Sequence, residues 1–137
     1  MSERQAGQIV AIVRDLFFAA RIRDTLRPRG YVVAVVKREE DLAAAFAGEP
    51  VALVIIDLAF TAIAPPAIIA RLKGDAATGA VPLLAFGSHL DRAGREAAKA
   101  AGADRVVPNS KLVADLPALV ERYARGQMIV ATDPGEE

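Results

Sequence analysis

The chain has 137 residues, 53% of them hydrophobic and 25% charged, which suits one globular domain with a single core. Basic and acidic residues balance at 17 each, so whole-chain charge exerts no pull toward nucleic acid. There is no cysteine, no apolar run of membrane-spanning length, and no basic-then-apolar leader in MSERQAGQ. Disulfides and thiolate metal sites are thereby excluded, no membrane role is expected, and the cytoplasm is the expected location.

Residues 1–7 are expected to be a flexible N-terminus, residues 8–125 the folded domain and residues 126–137 a tail, with TDPGEE disordered. Gln8–Val13 (QIVAIV) predicts a first strand, β1. Leu16–Arg29 follows as helix α1, with Ala19, Ile22 and Leu26 at core spacing and Pro28 and Gly30 closing it. Tyr31–Val36 predicts β2. Glu39–Ala47 predicts a short helix α2, with Leu42 and Phe46 on one face. Val51–Asp57 (VALVIID) is an apolar run ending in a carboxylate, the mark of a central strand β3 buried on both faces. Helix α3 is expected over roughly Ala67–Lys73 and strand β4 over Val81–Phe86. Asp91 is placed to cap a helix α4 that runs to Ala101 and stops at Gly102. Arg105–Val107 predicts a short β5, and a last helix α5 opens at Ser110 or Lys111 and reaches about Arg125.

Strand and helix thus alternate five times, the pattern of a doubly wound parallel sheet with helices on both faces. The expected fold is a single-domain, flavodoxin-like α/β sheet of five strands in the order 2-1-3-4-5. That order sets β1 beside β3, so Asp15 and Asp57 meet at the switch point where such sheets build their sites. Gly87, Ser88 and His89 after β4, and Pro108, Asn109, Ser110 and Lys111 after β5, fall on the same rim.

A buried carboxylate at Asp57 is costly unless solvated, paired or used. Two facing carboxylates need a cation, so Arg14 is expected within hydrogen-bonding or water-bridged reach of Asp57 or Asp15. His89 has no second ligand or acid at useful spacing and reads as a loop residue. Phe17 and Phe60 are candidate partner-surface residues at the mouth of the site. The competing expectation is that the loop after β3 folds over and buries both rings. Arg21, Arg23, Arg27 and Arg29 read as a solvated helix face. No G-x-G-x-x-G, Walker loop or flavodoxin-type phosphate loop follows β1.

These features together resemble the response-regulator receiver domain. The resemblance covers about Gln8 to Arg125. It rests on the alternation, Asp15 after β1, Asp57 ending β3, Val81-Pro82 opening β4, and Gly102-Ala103-Asp104 before β5. It implies Asp57 as the phospho-acceptor and Asp15 as one acid of a Mg²⁺-binding pair. It also implies a histidine kinase or downstream effector as partner, with the rim and the α4–β5–α5 face as contact surfaces. The departures matter as much. Arg14 replaces the first acid, Gly87 occupies the Thr/Ser position with Ser88 one residue late, and Asn109 occupies the Lys position, followed by Ser110 instead of Pro. Val106 takes the place of an aromatic in β5. With Arg14 present, the pocket's formal charge rises from −2 to −1 and an oxygen ligand is lost, which disfavours an octahedral dication.

The sequence therefore points to an atypical, stand-alone receiver that works by protein–protein contact. No cofactor is required, Mg²⁺ binds weakly at Asp15 and Asp57 at most, and no nucleic acid is bound. No enzyme activity is expected beyond self-phosphorylation and dephosphorylation at Asp57. Ser88 and Lys111 are kept as pocket candidates. A conventional phospho-accepting receiver and a small-ligand-binding module of the same fold remain the alternatives.

Overall fold

A computed structural model describes residues 7–124. The expected tail at 126–137, most of the expected flexible N-terminus and Arg125 lie outside the described residues. Side chains along a strand alternate between the two faces of a sheet, and here both faces are apolar. In β1 (Gly7–Ile12), Ile9 and Ala11 enter one core while Val10 and Ile12 enter the other. In β3 (Val51–Asp57), Leu53 and Ile55 part from Val54 and Ile56 in the same way. All four are essentially fully buried, worth ~1.5–3 kcal/mol each in transfer free energy. This is why β3 shows no polar alternation.

β2 (Tyr31–Val36), β4 (Leu83–Gly87) and β5 (Arg105–Pro108) complete a five-stranded sheet in the order 2-1-3-4-5. All four pairings are parallel. Helices α1 (Leu16–Leu26) and α5 (Asn109–Ala124) contribute to one core; α2 (Leu42–Ala47), α3 (Pro65–Gly74) and α4 (Arg92–Ala101) contribute to the other. The flavodoxin-like, doubly wound order expected from the alternation is the one observed.

Several boundaries differ from expectation for local reasons. Gly7 belongs to β1, not to a flexible terminus, and its φ of 108° and a built Cβ only 3.1 Å from Ala52 Cβ explain a glycine there. α1 stops at Leu26, because Pro28 has no amide to donate, and the chain continues as a 3₁₀ turn over Arg27–Arg29. α2 likewise begins after a 3₁₀ turn at Glu39–Asp41. β4 starts at Leu83 because Pro82 cannot donate to the ladder, although its carbonyl accepts from Val54 N at 3.0 Å. α3 starts at Pro65, a good first helical residue, after a 3₁₀ turn at Thr61–Ile63. α5 is kinked: Asp115 leaves helical geometry two residues before Pro117, which the sequence reading did not anticipate.

Candidate functional site

The last paired residues of β1 and β3 are Ile12 and Ile56, so Asp57 ends its strand beside the start of the β1–α1 turn. Asp57 is 3% exposed, and it lines a cleft of about 530 Å³ with Arg14, Asp15, Phe18, Ala59, Phe60, Thr61, Ala62 and Asn109. Its Oδ1 accepts a hydrogen bond from Ala59 N at 2.9 Å. Burial pushes its carboxyl above the ordinary value of 3.8; the Ala59 amide opposes that shift, and the nearby Asp15 charge adds to it.

Asp15 reaches the same cleft but has a second task. It is the N-cap of α1, and its Oδ1 accepts from Phe17 N at 2.8 Å and Phe18 N at 3.2 Å. Arg14 lines the cleft, yet among the described residues it makes no hydrogen bond or ion pair with either carboxylate. Of the direct or water-bridged reach expected of it, the direct pairing is not made among the described residues. Asp15 already receives two amides and Asp57 one, and the exposed guanidinium lies where two neighbouring clefts meet.

The sequence-derived pocket needs correction at three other positions. Lys111 turns along its own helix, with Nζ 2.8 Å from Asp115 Oδ2, and does not line the cleft. Ser88 Oγ accepts from Leu90 N at 3.0 Å, a local turn contact that holds it outside the cleft. Gly87 ends β4, but the space beside its Cα is filled: a built Cβ would lie 3.2 Å from Leu58 Cβ. Asn109 does line the cleft, and its Oδ1 is buried with no hydrogen-bond partner among the described residues.

The aromatic pair divides. Phe60 is 5% exposed and packs into the α3-side core, so it is withdrawn as a partner-surface residue. Phe17 is 59% exposed and stacks edge-on against Phe18, which in turn meets Phe86. The loop after β3 thus buries one ring of the two.

Sequence reasoning missed Lys37 and Arg38. They follow β2 directly and line a second cleft, of about 520 Å³, that shares Arg14, Phe60 and Ala62 with the first. The signal was present, since the carboxyl end of every parallel strand faces the same rim.

A Mg²⁺ ion asks for near-octahedral oxygen coordination. Among the described residues no group of three His, Cys, Asp or Glu side chains converges. The two carboxylates that do share the cleft each already accept backbone amides, and Arg14 stands beside them. Each of them keeps its Oδ2 outside those amide contacts. No described helix is long and apolar enough to cross a membrane.

No family profile matches the sequence, and no curated protein does either. Solved structures do match in three dimensions. One is a signal receiver domain of a signal transduction histidine kinase from Syntrophus aciditrophicus, 18% identical, covering 93% of this chain and 96% of its own, with a TM-score of 0.77. Another is the receiver domain of a sensor histidine kinase from Pseudomonas aeruginosa, described with magnesium in its active site cleft. It is 16% identical, covering 86% of this chain and 97% of its own, with a TM-score of 0.74. A third is an orphan response regulator of H. pylori, 17% identical, covering 89% of this chain and 99% of its own, with a TM-score of 0.72. At these identities the likeness is one of fold, and the fold is that of response-regulator receiver domains.

Proposed function

We propose that the chain is a receiver-type module of two-component signalling that acts through protein–protein contact. In this reading Asp57 accepts phosphoryl groups poorly or not at all, Mg²⁺ binds weakly, and the partner is a histidine kinase or a downstream effector in the cytoplasm. The observation that carries it is the composition of the Asp57 cleft. Among the described residues the aspartate is buried with no cation paired to it, and its neighbours are a capping carboxylate, an unpaired guanidinium and an amide. Phosphoryl transfer relies on positioning and on cations that neutralise the transferring oxygens. Here the second acid serves α1, Asn109 supplies no cation, and Leu58 occupies the volume next to Gly87 where a hydroxyl side chain would stand. Without those contacts a phosphoryl group has little differential affinity for a second conformation and shifts that equilibrium little. Exposed Phe17, at the rim beside the cleft, is a candidate anchor for the partner.

The test is incubation with acetyl phosphate or beryllofluoride plus Mg²⁺, read by mass spectrometry and backbone amide shifts. The expected result is no stoichiometric modification, and its appearance in a variant carrying both Arg14→Asp and Asn109→Lys. Stoichiometric modification of the wild type at Asp57, with shifts spreading to the loop after β4 and to β5, would falsify this reading in favour of a conventional phospho-acceptor.

A further inference from the structure

The second cleft, at the carboxyl ends of β1 and β2, has a charge pattern opposite to that of a cation site. Ile12 pairs with Val36 in the sheet, so Arg14 and Lys37 leave adjacent strands at nearly the same level. Both side chains line the cleft of about 520 Å³. Its two carboxylates already face cations: Glu39 meets Arg71 Nη1 at 2.5 Å, and Glu40 lies 3.6 Å from Nε of Arg38, which also lines the cleft. Among the described residues Arg14 and Lys37 have no hydrogen-bond or ion-pair partner. The buried rings and branches of Phe60 and Ile63 form the apolar side of the same space. A guanidinium and an ammonium flanking an open cleft are the donors that recognise a phosphate dianion: the first by a planar fork, the second as a point charge. The volume lies within the usual range for small-molecule sites.

We propose that this cleft binds a phosphate group, either inorganic phosphate or the phosphomonoester of a small molecule, held by Arg14 and Lys37. The site does not depend on the signalling reading above, because it uses neither Asp57 chemistry nor a protein partner. Arg14 separates it from the carboxylate cleft, so the same residue that disfavours a dication at Asp57 favours an anion next door.

The experiment is an amide-shift titration of the full chain at constant ionic strength, with inorganic phosphate in one arm and phenyl phosphate in the other. Mg²⁺ serves as a third arm. Saturable shifts are expected at Arg14, at Lys37 to Glu40 and at Thr61 to Ala62, with affinity on the order of millimolar or tighter. Lys37→Ala and Arg14→Ala should each weaken binding about tenfold, whereas Arg38→Ala, which removes an already paired cation, should change it less than about twofold. Tighter binding of phenyl phosphate assigns the site to a phosphomonoester; equal binding assigns it to phosphate itself. The proposal is overturned by non-saturating shifts, by shifts spread equally over Arg21, Arg27 and Arg29 and insensitive to both variants, or by Mg²⁺ moving these amides where phosphate does not.

Discussion

The two ends of the sheet use the same kinds of residue to different effect. At the amino end Lys73, at the end of α3, donates to Asp104 Oδ2 at 2.8 Å and to Val81 O at 3.0 Å. Asp104 also accepts from Leu83 N at 2.8 Å and gives its own amide to Leu83 O at 2.9 Å. One lysine and one aspartate tie α3, the entry to β4 and the entry to β5 together. At the carboxyl end Arg14 and Lys37 have no partner among the described residues, and Asp57 is buried without a cation. A cation and a carboxylate stabilise a fold when their hydrogen bonds are mutually satisfied; left apart at the rim of a cleft, they remain available to ligands. The amino end is therefore closed by its own ion pair, and the carboxyl end is where the proposed sites lie.

Substitutions test this contrast, beginning with Phe60 at the floor of the rim clefts. Phe60→Ala should cost ~3 kcal/mol, measured by urea unfolding, because the ring is 5% exposed within the core. A loss under ~1 kcal/mol would mean that the floor is not core. Asp104→Ala should cost ~2 kcal/mol, since it strands the Leu83 amide and leaves the Lys73 ammonium with Val81 O alone. That figure is held down by the 40% exposure of the Asp104 side chain, which lets water replace part of the contact. Lys73→Ala should cost less, because Asp104 keeps the Leu83 amide.

Gly87→Ser should cost ~1 kcal/mol, as its Cβ presses on Leu58, and the added cost should shrink in a Leu58→Ala background. Equal costs in both backgrounds would refute the contact as the cause.

The Asp57→Asn variant should act in the opposite direction. The folded carboxyl titrates above its ordinary value of 3.8 because of burial. Between the unfolded and folded values the native state binds the extra proton, so wild-type stability falls as pH rises through that window. Above it the whole cost of the buried charge is present; below about pH 3.8 it vanishes. Asp57→Asn should therefore raise the melting temperature at neutral pH, with the gain disappearing in acid. A gain that persists in acid would point to a cause other than the charge. Smallest of all, Phe17→Ala should change stability by less than ~0.5 kcal/mol, because the ring is 59% exposed, while weakening capture of a signalling partner. A larger stability loss would make Phe17 a packing residue and remove it as an anchor.

The order of elements was legible in the sequence because it rests on short-range patterns. Unbroken apolar runs at Val51–Asp57 and Gln8–Val13, Asp91 as a cap and Gly102 as a stop each act within a few residues; β3 and α4 appear where they put them, and β1 one residue earlier. Asp91 Oδ1 does accept from Gly94 N, and Gly102 takes a φ of 115°. The handedness of parallel crossovers narrows the sheet orders that this alternation allows, and 2-1-3-4-5 is the one observed.

What tertiary structure decided was the orientation of individual side chains at the rim. Sequence placed Arg14, Asp15, Ser88 and Lys111 near one another, but nearness along strand ends does not choose a hydrogen-bond partner. Asp15 turned to the α1 amides, Ser88 to Leu90 N and Lys111 to Asp115, in each case a donor or acceptor within four residues. A local partner needs little chain ordering to be reached, so it wins over a distant one of similar strength. Which of two phenylalanines is buried was also settled by the loop after β3, whose course depends on Ala64 at a φ of 50° and on packing between Phe60 and Ile63. Sequence thus determined which strand ends converge; the fold determined which of the groups there remain unpaired, because pairing is a matter of geometry across elements that no single stretch contains.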